Sequence, residues 1–223
     1  ANAIFTIEDG EMKFQSYYKI PGVQSNRENC VAHNGSMIPV PGRDIMVQSW
    51  YQGGISVFDW TDPANPIEIA FQDRGPVSNE RFQMGGSWSV YWYNGMIVSS
   101  EIARGLDIFK LSTSPWMTQN EIDAANTIKL DYLNAQGQPQ FSWPHTYALA
   151  KAYTDQLHRD DALQVNEITM IRQHLANAES YGGSTASRIL NTLADELAAM
   201  ADESGDPEKV SKLLDTVRNL ADG

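Results

Sequence analysis

Chemistry in this chain has to be built from few parts. Its 223 residues include four histidines (His33, His145, His158, His174) and a single cysteine, Cys30. One cysteine excludes an internal disulfide framework and a Cys-rich metal site, and it reads as a buried, inert thiol. His33 is followed by Asn34, then by Trp50-Tyr51, and much later by Gly85 and Glu101. An imidazole, a carboxamide, two aromatic rings and a carboxylate can hold a metal or a small polar ligand if the fold gathers them at one mouth. The plainer reading has His33 and Asn34 capping the turn by bonding backbone groups while the aromatics pack. The other three histidines fall far apart on helical segments, and metal sites need clustered donors. These residues identify no cofactor.

A second concentration of rings lies in Ser87-Trp-Ser-Val-Tyr-Trp-Tyr93. Such a run can stack a sugar or a base, but neighbouring residues of a strand point to opposite faces, which favours packing. Acidic pairs such as Asp160-Asp161, Asp195-Glu196 and Asp202-Glu203 fall on polar helix faces or ends, where solvation explains them. The phosphate-loop, dinucleotide, zinc-protease, nucleophile-elbow and EF-hand patterns are all missing from the sequence.

The elements that must position these residues differ between the two halves. Residues 1–112 run in short alternating apolar segments: Ile45-Met46-Val47, Ile55-Ser56-Val57-Phe58, Ile67-Glu68-Ile69, Met96-Ile97-Val98 and Leu106-Asp107-Ile108-Phe109. Period-two alternation bounded by Gly, Pro, Asn and Asp predicts strands, and Asp62-Pro-Ala-Asn-Pro66 predicts a turn. From 143 to 223 the apolar spacing is helical. It predicts helices opening at Trp143-Pro144, at Asp160 or Asp161, at Ser184 and at Asp206-Pro207-Glu208, best read as a small antiparallel bundle. Residues 113–142 join the halves, and Thr118-Gln-Asn-Glu121 has capping-box spacing for one short helix.

Sliding the strand half by 51 residues aligns Gly35–Trp60 with Gly86–Leu111 without a gap. Val47 falls on Val98, Ser49 on Ser100, Gly54 on Gly105 and Phe58 on Phe109, with apolar residues matched between them. A fainter copy at Ile4–Ile7 and Met12–Phe14 looks like the second half of the same unit. Copies of this length holding several short strands have the period of a β-propeller blade. The expected fold is therefore mainly β followed by α: a partial β-propeller of about two and a half four-stranded blades, then a C-terminal helical bundle. In it His33 and Asn34 open an innermost strand, on the disc face also reached by Trp50, Tyr51, Gly85 and Glu101.

His33-Asn34, Gly53-Gly-Ile-Ser-Val-Phe-Asp59 and Asp62-Pro-Ala-Asn-Pro66 resemble the LVIVD-repeat β-propeller family, whose strand motif is followed by an Asp-Pro turn of this kind. The resemblance covers residues 1 to about 112. The second copy departs from it, with Lys110 where Asp59 stands and no Asp-Pro turn, as befits a last blade. It implies an exported bacterial protein, periplasmic or at the cell surface, and a fold more than an activity. Too few blades are present to close a ring, so the expected partners are further blades of the same protein or another protein chain.

Composition narrows the partners. Sixteen Lys and Arg against 28 Asp and Glu give a net charge of -12, which disfavours nucleic acid and anionic lipid. No apolar run is long enough for a membrane span. The leading expectation is a non-catalytic binding or assembly module. The alternatives are a metal-dependent oxidase or hydrolase at the channel mouth, and a carbohydrate-binding surface protein.

Overall fold

The computed structural model describes residues 1–137 and 139–223, and it divides into two compact units, each with its own core. Nine antiparallel strands in three small sheets come first: β1 (Asn2–Glu8), β2 (Glu11–Tyr18), β3 (Gly35–Ile38), β4 (Ile45–Ser49), β5 (Ile55–Asp59), β6 (Ile67–Gln72), β7 (Ser87–Tyr93), β8 (Met96–Glu101) and β9 (Gly105–Phe109). The strand unit comprises residues 1–116 and 129–140. The helical unit comprises residues 117–128 and 141–223, so the joining stretch read from the sequence is shared between the two.

Within the strand unit, the sheets are a hairpin β1-β2, a meander β3-β4-β5-β6 and a meander β7-β8-β9. The middle sheet is covered on both faces. On one face Ile4 and Tyr18 of the hairpin pack with Trp50 and Phe58, and the Tyr18 hydroxyl meets Ser56 Oγ at 2.5 Å. On the other, Ser87 Oγ donates to Ser49 Oγ at 2.9 Å, and the Trp92 N–H donates to Ser36 Oγ at 3.3 Å. Alternation explains this: Ser56 and Phe58 point one way from β5, Ile55 and Val57 the other, and all four are buried.

The repeat survives where it matters for the ladder. β4 pairs with β5 through Val47↔Val57 and Gln48↔Ser56, and β8 pairs with β9 through Val98↔Ile108 and Ser99↔Asp107, the same registers moved by 51 residues. The first strands do not follow that alignment. Ser36 faces Val47, whereas Tyr91, not Ser87, faces Val98, a displacement of four residues. A tight Asn94-Gly95 turn joins β7 to β8, with both residues at positive φ, while a longer Pro-rich connection joins β3 to β4. The second copy also has three strands, not four, so β9 carries no outer strand partner among the described residues. No closed barrel or propeller ring is formed by the described residues; the finding is three small sheets followed by helices.

The helices are α1 (Gln119–Ala125), α2 (Tyr147–Arg159), α3 (Val165–Tyr181), α4 (Gly183–Met200) and α5 (Pro207–Asp222). α1 opens with the expected box, Thr118 accepting from the Glu121 N–H and Glu121 from the Thr118 N–H. Two starts differ from the sequence reading. α2 begins after Thr146, whose hydroxyl caps Leu149, so Trp143-Pro144 and His145 precede it. α3 begins after Gln164, because Asp160 caps α2 and Asp161 takes a positive φ in the turn. α2 to α5 pack around Leu157, Ile171, Leu175, Leu190, Leu193, Leu197, Leu213 and Val217. Their apolar stripes are spent on one another. No helix among the described residues is long and apolar enough to cross a membrane.

Candidate functional site

Three of the ring-bearing residues meet beside the seam between β3 and β7. His33 lies T-shaped to the Tyr51 ring at 5.1 Å and tilted to the Trp88 ring at 4.6 Å, and Tyr51 and Trp88 are 5.7 Å apart. The seam is stitched by side chains. His33 Nδ1 bonds the Trp88 carbonyl at 2.5 Å, Asn34 Oδ1 accepts from the Val90 N–H at 3.2 Å, and Ser36 Oγ serves Trp92. Residues 88, 90 and 92 present their backbone groups on one side of β7, at the strand's period of two. Because a carbonyl can only accept, His33 Nδ1 is the donor of this bond. The bonded groups are backbone, as in the plainer reading, but they lie across the seam on β7 and not in a turn beside His33.

Trp50 does not belong to this group. It is 2% exposed and packs edge-on to Tyr18 at 6.0 Å in the core, because it follows Gln48 in the alternation facing the hairpin. Tyr51 turns away from it by adopting a positive φ of 51°. That turn sets an isolated bridge in which the Tyr51 N–H donates to Ser87 O at 3.1 Å and the Ser87 N–H to Tyr51 O at 2.8 Å. Gly86 allows it: its φ is +89°, and a Cβ there would lie 1.9 Å from the Tyr51 carbonyl carbon.

Behind the bridge lies a small cleft of about 20 Å³ between the two meanders, room for about one water, lined by Tyr51, Ser87, Ser99 and Glu101. Glu101 ends β8 with its side chain 4% exposed. Its Oε1 accepts from the Gly86 N–H, and its Oε2 has no hydrogen-bond partner among the described residues. Arg104, three residues on in the β8–β9 turn, brings Nη1 to 3.7 Å from Oε1, too far for a hydrogen bond. Arg74 also lines the cleft and makes a bidentate pair with Asp107 of β9, at 2.6 and 2.9 Å. That hydrogen bonding holds the Arg74 guanidinium further above its usual pKa.

The structure thus groups His33, Asn34 and Tyr51 at the seam, places Glu101 in the adjoining cleft that Tyr51 also lines, and puts Trp50 in the core. Gly85 is buried near the cleft, where an added Cβ would come within 3.6 Å of Glu101 Oε1. Sequence reasoning weighed Trp88 only within the Ser87–Tyr93 run, apart from His33, and missed Arg74, Asp107 and Arg104. The Glu101–Arg104 spacing across a Gly105 turn was visible in the sequence; the Arg74–Asp107 pair was not, being 33 residues apart. Among the described residues no three His, Cys, Asp or Glu side chains gather as a metal set. Comparisons with protein-family models, curated proteins and solved structures find no match for this chain.

Proposed function

We propose that this chain is part of an exported β-propeller of LVIVD type and acts as a non-catalytic assembly module, its end sheets docking on further blades or on a partner protein. The observation that carries the reading is a middle sheet whose β4 and β5 are covered on both faces, flanked by two sheets with apolar outer faces. On the hairpin the cross-strand pairs Phe5↔Phe14 and Ile7↔Met12 are exposed, with Ile7 at 76%. On the last sheet Tyr91, Leu106 and Ile108 are exposed, Leu106 at 63%. Contiguous apolar faces of this kind mark interaction surfaces. The order of strands supports the propeller reading, since β3 and β7, the first strands of two successive meanders, run along a common seam. At that seam His33 and Asn34 hold backbone groups together, a role that favours scaffold over catalysis. Sedimentation velocity tests the proposal: reversible association that rises with concentration and weakens in both Phe14→Asp and Ile108→Asp supports it. A strict monomer at high concentration, with both faces intact, overturns it.

A further inference from the structure

We infer that the outer edge of β9 takes an extended strand of apolar and acidic residues from a partner polypeptide, completing the last sheet as β6 completes the middle one. This deepens the assembly reading by naming the partner's chemistry, and it rests on the same two copies. β4-β5 and β8-β9 share one register, yet β5 carries β6 on its far side and β9 carries no strand there among the described residues. The backbone shows which groups are left facing out. The Ile102 N–H, just beyond β8, donates to Gly86 O, so this residue bonds toward β7. Bonding direction alternates along an antiparallel strand, so Ile97, Ser99 and Glu101 bond toward β9, to Phe109, Asp107 and Gly105. The N–H and C=O groups of Leu106 and Ile108 therefore point away from β8. Their counterparts in the first copy, Ile55 and Val57, lie opposite Gln72 and Ala70 of β6.

Room for that strand is kept. A Cβ on Gly54 would lie 1.8 Å from the Gln72 carbonyl oxygen, so the glycine lets the end of β6 come close. Gly105 is its copy, and a Cβ there would meet nothing within 4 Å. Edges that must stay unpaired are guarded by proline or a bulge, and β9 has neither. Charge selects the occupant. Arg104 and Lys110 bracket β9 and are both exposed, while Asp107 between them is held by Arg74. The β6 sequence set on β9 in the register it keeps on β5 brings Glu68 opposite Phe109, next to Lys110, and Asp73 to the Arg104 end. Added strands of this kind gain affinity from ladder bonds and specificity from alternate side chains.

The probe is a synthetic peptide, Asn65-Pro-Ile-Glu-Ile-Ala-Phe-Gln-Asp73, added to the full chain while hydrogen exchange of the Leu106 and Ile108 amides is followed in ¹H–¹⁵N spectra. Saturable binding with slower exchange at both amides is expected. The peptide with Ala70→Pro loses the N–H that would reach Ile108, and its affinity should fall at least about tenfold. In the chain, Ile108→Pro removes an outward N–H and no bond to β8, so it should weaken capture similarly with the sheet intact. Phe14→Asp, on the hairpin, should leave capture unchanged. Peptide capture without self-association of the chain therefore counts against docking of the outer faces alone, and self-association without capture counts against the edge alone. Three results would overturn the inference: no saturable slowing at Leu106 and Ile108; equal binding of the proline peptide; or protection of those amides that grows with the chain's own concentration, which would give the edge to a second copy.

Discussion

Gly86 shows how one missing methyl group holds the strand unit together. Its positive φ and its 1.9 Å approach to Tyr51 leave no room for a side chain, and the approached atoms are backbone, which cannot swing aside. Gly105 has φ +101° but open space around it. Gly86→Ala should therefore cost about 2–4 kcal/mol, combining strain with loss of the Tyr51–Ser87 bridge, and Gly105→Ala only about 1 kcal/mol. Urea denaturation followed by tryptophan fluorescence compares the two; equal midpoints would contradict the packing argument. Cys30 offers a pH test. Burial, then the charges of Glu28 and Asp73, push its thiol up from 9.0 to about 11. Ionisation is harder in the folded chain than in the unfolded one, so the stability it contributes is present below pH 9 and lost as pH rises through 11. Its alkylation rate by iodoacetamide should keep climbing beyond pH 9, where a free thiol would level off. At this scale the sequence was a fair guide to His33, Asn34 and Tyr51 and a poor one to Trp50. Trp50 and Tyr51 are adjacent, and the left-handed backbone at Tyr51 that separates their fates leaves no trace in residue type.

Elements were more legible than residues, because periodicity reports burial directly. The β4-β5 ladder and its copy β8-β9 obey the same register, as the ungapped repeat implied. The first strands slipped because register there depends on turn length, and Asn94-Gly95 closes a tighter turn than the connection after β3. Helix starts moved for a related reason. The Thr146 hydroxyl caps α2 and the Glu167 carboxylate reaches back to the Gln164 N–H at the start of α3, and such bonds, more than the first apolar residue, decide where a helix begins. The attachment of α1 to α2 was invisible in the sequence. Glu121, fully buried, takes both Arg159 nitrogens at 2.8 and 3.0 Å and the Gln156 amide at 3.2 Å, across 35 residues or more. Arg159→Ala removes this bidentate pair from a buried carboxylate and should destabilise the helical unit by about 3 kcal/mol. Arg159→Lys, which keeps the charge but not the fork, should lose less. Thermal unfolding followed by circular dichroism at 222 nm measures both; no loss in Arg159→Ala would mean that the pair is incidental.

For the whole molecule, charge and apolar surface oppose each other. A net charge of -12 makes two copies repel, while the exposed Phe5, Ile7, Met12 and Phe14 face and the Leu106 and Ile108 face draw them together. Salt separates these forces, because at 1 M the screening length falls to about 3 Å and surface repulsion largely vanishes, while apolar burial persists. The weight-average mass in solution should therefore rise as sodium chloride is raised from low concentration to about 1 M. If the faces drive that rise, Phe14→Asp and Ile108→Asp should each flatten it, and so should Leu106→Asp. Exchanging a charge that belongs to neither face, as in Glu208→Gln on α5, should change the low-salt repulsion slightly and leave the high-salt plateau intact. Light scattering across the series distinguishes the cases. A mass that falls with salt would mean that contacts between opposite charges hold the copies together, and the end sheets would then need some other explanation for their exposed rings and aliphatic side chains.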